Sequence, residues 1–528
     1  MRQLKLVDIP EELIVQILSY LGPSDLVTCE LTSSTLRSII KEAVVLRYSR
    51  ALQVAGMEDN PNSNLSVTER LARLERRESA WFKNIPDFTT TIPVHHNPSG
   101  IYDLTSGVYL LGNTNRLALH YCKLPTSSED DTSWKNIEVE RNIIDMGLAA
   151  YEHDLIAVVT TSPVTASPPS HNIELEFREF STGQWHSLAQ KPRLLVTNSR
   201  WERPAIGIEI VGEYLVLIIT HSNNPWRPDS QFFVYEWKTG TLKLKLSRPH
   251  HTYHGLIFLA ESVFLLPNAS DNTLEIWEIP LSPERAPSQP TCILGLPQLA
   301  DNQALSAISC RCEPNPRGTA ALQFSTRPFH TSPSDAIAIF NIRVHPRHFP
   351  LQPLPIHLSS MFTFFVHRRA LLDVFASSPH NIFSSHDAPE RIPWLSWGPP
   401  ITRWLNADNV PTRWITTTAG QRCVLIADNA ANHGFPVVIL DFNPYNLRRT
   451  EKYLRRTPNP RLWCVIGPQR VEDSECFVDS IESSLPYTAC ASTQSFEYEG
   501  VLMDEERVLG LSTDMVDRIQ SICVHYFG

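Results

Sequence analysis

Hydrophobic residues along this 528-residue chain change their spacing near residue 90. Up to there they recur at helical intervals. Beyond it, short Val-, Ile-, Leu- and Phe-rich runs alternate with Pro, Asn, Ser and Gly, the pattern of strands separated by turns. The first helix is expected to open at Asp8, with Glu11 reaching back in a capping box and Pro10 in the first turn, where its missing N–H costs nothing. Leu13, Ile14, Ile17, Leu18 and Leu21 form its apolar stripe, and Gly22-Pro23 stops it. A short second helix is expected from Ser24 to about Cys29. A third follows Thr32-Ser33-Ser34, with Leu36, Ile39, Ile40, Ala43, Val44 and Leu46 on one face. Ser66-Val67-Thr68-Glu69 is a second capping box, opening a helix with Leu71, Leu74 and Trp81 inside. Its charged remainder, Arg70, Arg73, Arg76 and Arg77 among Glu69, Glu75 and Glu78, reads as a solvated face laced by i,i+3 and i,i+4 pairs.

From Leu104 onward the strand candidates come in clusters: 107–111 with 117–121, 155–159 with 173–180, 214–220 with 232–237, and 263–266 with 274–279. Later clusters are 336–344, 423–427 with 437–442, and 499–511 with 522–527. Arg178-Glu179-Phe180-Ser181-Thr182-Gly183 and Tyr235-Glu236-Trp237-Lys238-Thr239-Gly240 both close a strand with an aromatic and a Thr-Gly turn. Such recurrence suits four-stranded propeller blades of ~40–45 residues, and the region has room for about seven of them. The stretch 162–170 reads as a loop inside a blade. The strand at 522–527 is expected to pair near the region's start, because an open sheet would leave an aggregation-prone edge.

The opening residues resemble the F-box motif. Leu6-Val7-Asp8-Ile9-Pro10-Glu11-Glu12-Leu13-Ile14, Ile17-Leu18-Ser19-Tyr20-Leu21 and Pro23-Ser24-Asp25-Leu26 match its apolar and turn positions almost throughout. Cys29, Ser33, Leu36, Arg37, Ile39 and Ile40 stand where its second apolar block falls, while Leu31-Thr32-Ser33 departs from the family's usual aromatic and Val-Cys or Val-Ser pair. The continuation from Tyr48 to Phe88 resembles fungal F-box proteins with a long β-rich C-terminal region. The resemblance implies a three-helix domain that binds a Skp-type adaptor and, through it, a cullin and RING assembly. It implies contact through Ile9, Pro10, Leu13, Ile14, Ile17, Leu18, Leu21, Leu26, Leu36 and Ile40. Physically, some forty residues bury too little apolar surface alone. Ile9, Leu13, Ile17, Leu18, Leu21 and Leu26 therefore need covering, by a partner or within a small helical core of their own, and some fill both roles.

Composition narrows the functional classes. A net charge of -10 argues against nucleic acid as a partner, and 41 Pro against 20 Gly suits short strands and irregular loops rather than long helices. No stretch reaches the ~18–20 apolar residues of a membrane span, and no apolar leader follows Met1. The ten scattered cysteines read as reduced thiols, so a cytoplasmic or nuclear protein is expected. His250-His251-Thr252-Tyr253-His254 lacks the Glu of a zinc protease and sits between Pro249 and Gly255, a turn. Cys310-Arg311-Cys312 is spaced too tightly for zinc and has no second pair, so both thiols read as core. No nucleophile elbow or phosphate loop occurs. Arg368-Arg369, Arg448-Arg449 and Arg455-Arg456 read as solvated edges, and Trp201, Trp226, Trp394, Trp397, Trp404 and Trp414 as blade-core packing.

The expected organisation is a small all-α F-box over 1–57, a helical connector over 58–90, and a large all-β domain of propeller type over 91–528. No cofactor, metal or catalysis of its own is expected. The function it implies is substrate recognition for a cullin–RING ubiquitin ligase, with a protein target held by the β domain. The alternative is a non-degradative scaffold or sensor using the same adaptor. An enzyme sited in the central channel would need convergent acid, base or metal groups.

Overall fold

The computed structural model describes residues 6, 9–105, 107–165, 169–221, 229–318, 327–347, 359–378, 389–407, 416–426, 434–457 and 462–528. Asp8, Trp226, Trp414 and the middle of the 162–170 stretch lie outside them, while the ends of that stretch continue the strands Leu155–Val164 and Ser170–Glu179.

Four helices, not three, open the chain: α1 (Glu11–Leu18), α2 (Pro23–Thr32), α3 (Ser34–Glu42) and α4 (Val44–Ala55). Pro10 is the N-cap of α1 rather than a first-turn residue, and no side chain caps that end. Its carbonyl accepts from the N–H groups of Leu13 and Ile14. The expected third helix breaks at Ala43, whose extended backbone separates α3 from α4. Ser33 starts α3 by accepting the Leu36 N–H at 3.3 Å. Gly56 ends α4 at a φ of 65°, a left-handed cap that glycine adopts without strain. Ile14, Leu18, Leu26, Leu36, Ile39, Ile40 and Leu46 pack into one small core. Helix α5 (Val67–Lys83) carries the capping box expected at Ser66, with Glu69 accepting the Ser66 N–H at 2.8 Å and the Ser66 hydroxyl accepting the Glu69 N–H at 3.3 Å.

Beyond α5 the chain forms a ring of seven blades among the described residues, each a sheet of four or five strands. Six succeed one another over 98–138, 142–199, 205–248, 257–295, 303–406 and 418–496. The seventh combines the three C-terminal strands with Phe88–Pro93. The fifth exceeds the expected blade length because helices and two strands that pair elsewhere, Phe329–Thr331 with Met57–Asp59 and Arg391–Ile392 with the fourth blade, are inserted into it. Side chains of a second or third strand alternate between two interfaces. Leu155, Ala157 and Val159 pack toward the third blade, and Ile156 and Val158 toward the first. This two-sided burial is why such strands are continuous apolar runs.

Closure is direct. Phe88–Pro93 pairs antiparallel with Ile519–Tyr526, Phe88 opposite Tyr526 and Pro93 opposite Ser521. Tyr109 and Leu111 of the first blade share a core with Leu502, Leu509 and Leu511 of the seventh. The closing strand therefore starts at Phe88, ahead of the boundary expected at 91. Helix α5 packs onto the same region: Trp81 stacks on Phe527 at 4.1 Å and joins Val424, Ile439, Val501 and Val508 in one cluster.

Two expectations about charge are corrected. Arg77 and Glu78, read as part of a solvated face, are buried against the ring. Arg77 pairs with Glu78 at 2.6 Å and donates to the Glu505 carbonyl, and Glu78 pairs with Arg422 at 2.6 Å. A buried charge is tolerated when an opposite charge and hydrogen bonds accompany it. Arg368, read as a solvated edge, is wholly buried, donating to the carbonyls of Cys312 (2.8 Å) and Pro314 (2.7 Å). Its fan of N–H donors satisfies an irregular segment that no strand ladder could serve. Arg369 beside it is exposed. Trp394, Trp397 and Trp404 lie in the core as expected. No helix among the described residues is long and apolar enough to cross a membrane.

Because α5 is part of the ring's packing, Trp81→Ala should remove about 3–5 kcal/mol from the single unfolding transition of the whole chain in denaturant melts. A separate early transition confined to the helices, with the β signal unchanged, would show instead that helix and ring are independent.

Candidate functional site

Two features offer surfaces for recognition: one side of α1 and α2, and the central channel. On α1 the apolar residues divide between two sides. Ile14 and Leu18 face the helical core, whereas Leu13 and Ile17 are 47% and 44% exposed. Leu26, Leu36 and Ile40 are also inside, Ile9 and Leu21 are half-buried at the core's margin, and Pro10 is exposed. Tyr20 and Leu31, exposed at 82% and 73%, are further apolar surface outside the ten expected contacts. Leu13, Ile17 and Tyr20 stand at i, i+4 and i+7, so helical spacing alone could have separated them from the inward stripe.

The channel encloses a cavity of about 370 Å³, lined by the inner strands of the first, second, third and fifth blades. Six carboxylates line it: Asp103, Asp145, Glu152, Glu209, Glu313 and Glu505. Arg311, Arg317 and Arg327 oppose them. Arg311 pairs with Asp103 at 3.0 Å, Glu209 at 2.8 Å and Glu313 at 2.9 Å. Arg317 pairs with Glu58 at 3.3 Å, and Arg327 with Glu506 at 3.0 Å and Glu505 at 3.6 Å. Asp145 accepts the N–H of its neighbour Met146 at 2.9 Å. Burial pushes the Asp145 carboxyl up to about 7, with the Asp103 and Glu209 charges adding to the effect against Arg311. Burial likewise raises Glu313 and Glu209, opposed by Arg311. His254 and His330 also line the cavity, and burial lowers both.

Residues 313–317, Arg327 and His330 are part of the cavity's lining. The strand Phe329–Thr331, which carries His330, pairs with Met57–Asp59, which directly follows the helical domain. The channel and the helices are thus joined by a strand pair as well as by α5.

The other sequence candidates resolve as structure. The His250–His254 stretch is a turn, with His251 at a φ of 63°. Cys310 and Cys312 are buried in a blade interface as expected, where burial raises both thiols, Cys312 to about 11. Among the described residues no group of three or more His, Cys, Asp or Glu is placed to hold a metal ion.

An F-box-like family model matches residues 6–50. No curated protein matches the chain. Among solved structures, the C-terminal WD40 domain of Sif2 is 10% identical over 82% of this chain and 97% of its own, with a TM-score of 0.32. BamB from Moraxella catarrhalis is 9% identical over 83% and 97%, at 0.31. Kuenenia stuttgartiensis hydrazine synthase is 8% identical over 69% and 81%, at 0.33.

The Asp145 carboxyl, raised from its ordinary 3.8 to about 7, makes the folded chain hold a proton that the unfolded chain has lost. Its contribution is present below about pH 4 and is lost as pH rises through 7. Asp145→Asn should therefore be more stable than the parent at pH 8, on the order of 1–3 kcal/mol, and gain nothing at pH 4. Denaturant melts at both pH values check this; an equal gain at both would contradict it.

Proposed function

We propose that this chain, whose residues 6–50 form an F-box-like domain ahead of a seven-bladed propeller, is the substrate-recognition subunit of a cullin–RING ubiquitin ligase. The helical domain takes a Skp-type adaptor, which carries the cullin, and the propeller holds a protein target. The observation behind this reading is the division on α1: Leu13 and Ile17 stay exposed although Ile14 and Leu18 complete a core. Apolar surface that a domain leaves uncovered marks an interaction site. Of the ten expected contacts, Pro10, Leu13 and Ile17 touch the adaptor, extended by Tyr20 and Leu31. Ile9 and Leu21 lie at the margin. Ile14, Leu18, Leu26, Leu36 and Ile40 hold the surface in shape from behind.

A receptor of this kind needs no reacting group of its own. It works by proximity, holding a target beside the conjugating enzyme, and that demands a stiff link between its two ends. Trp81 on Phe527, the Arg77–Glu78–Arg422 pairs and the strand Met57–Asp59 supply one. We place the adaptor-binding unit at residues 1–57. The target-binding unit is 91–528 together with the connector 58–90, because α5 and Phe88 complete the ring's packing.

Leu13→Asp with Ile17→Asp tests the reading in the full chain. Both positions are exposed, so the melting temperature should stay within a degree or two of the parent. Capture of a Skp-type adaptor should fall at least ~100-fold, since the new charges would be buried unpaired at the interface. Wild-type capture by this folded double variant would exclude α1 as the docking surface.

A further inference from the structure

The channel carries more negative charge than its arginines offset, and the excess is local. Asp103, Asp145, Glu209 and Glu313 converge from the first, second, third and fifth blades around one guanidinium, that of Arg311. Arg311 engages three of them and leaves Asp145 with a backbone N–H. A second observation lies in the same cavity. His330 is 5% exposed and lines it, yet its Nε2 has no hydrogen-bond partner among the described residues. A buried polar atom without a partner costs free energy that a bound polar group would recover.

We propose that the channel cavity is a socket for a guanidinium or primary ammonium group, presented as an arginine or lysine side chain of the target. This rests on the propeller being the target-binding end. The volume, about 370 Å³, falls within the range of ligand sites. A cation entering a low-dielectric site needs a charge partner. Asp145, the carboxyl of the four that Arg311 leaves unpaired, supplies one by releasing the proton that burial makes it hold up to about pH 7. The same balance disfavours a phosphorylated residue. Recognition of acidic motifs uses clusters of available arginines, whereas Arg311, Arg317 and Arg327 are each paired with carboxylates.

Calorimetric titration of the full chain tests this with four probes: a short Gly/Ser peptide bearing one central arginine, its citrulline counterpart, its phosphoserine counterpart, and free agmatine. The arginine peptide should bind at least tenfold more tightly than the citrulline and phosphoserine peptides. Asp145→Asn, which should fold at least as stably as the parent, should weaken it at least tenfold. Agmatine should bind more weakly than the peptide; equal or tighter binding would keep the cation socket but overturn its target-borne source. No arginine-peptide binding at millimolar concentration, equal affinity for the citrulline or phosphoserine peptide, or an unchanged affinity in Asp145→Asn would overturn the socket. Adaptor capture by the parent and by Asp145→Asn is measured alongside. Capture without peptide binding sinks the socket alone, and peptide binding without capture sinks the ligase reading while leaving the socket standing.

Discussion

Phe88–Pro93 forms the outer strand of a blade whose other three strands are the last in the chain. The ring can therefore close only when segments from opposite ends of the β region meet, at a cost in loop-closure entropy that rises slowly with length. In return every blade has a neighbour on both sides, and each of the seven interfaces encloses an apolar cluster of its own. The strand that closes the ring also follows directly on α5, whose Trp81 is buried against the last aromatic of the chain. Closing the propeller and fixing the helices are thus one event.

Buried arginines carry much of what the strands cannot. Arg368, Arg403 and Arg507 are all but inaccessible. Each donates to carbonyls of irregular backbone: Arg368 to Cys312 and Pro314, Arg403 to Leu485 and Gly467, Arg507 to Pro125. Long insertions between strands have many unsatisfied carbonyls, and a guanidinium with five N–H groups can gather several of them. Arg507 also pairs with Asp504 and Glu506; Arg311 differs in that its three carboxylate partners line a cavity, with more acid there than it can bind.

What could be read from the sequence follows from how local each signal is. The N-terminal helices were legible because stripe and turn lie within a few residues of each other, although no side chain caps α1 and the expected third helix breaks at Ala43. The second and third strands were legible because both faces are buried. Inner strands such as Asn142–Ala149 and Gln303–Arg311 were not: one side faces a polar channel, and bulges at Ile143/Asp145 and Leu305/Ala307 break their alternation. The six channel carboxylates share no local motif at all, being brought together by five separate blades. Arg77 was misjudged on composition, yet Leu71, Leu74, Arg77 and Trp81 fall on one helical stripe, and that spacing already placed it inward.

The central claim is that adaptor docking uses the exposed side of α1 and α2 and leaves the propeller unaltered. Hydrogen exchange of the full chain, with and without a saturating Skp-type adaptor, reads this directly. The account predicts slowed exchange confined to residues 10–32 and the helical core behind them, with blade amides unchanged. Protection spread over the blades, or none in α1 and α2, would contradict it.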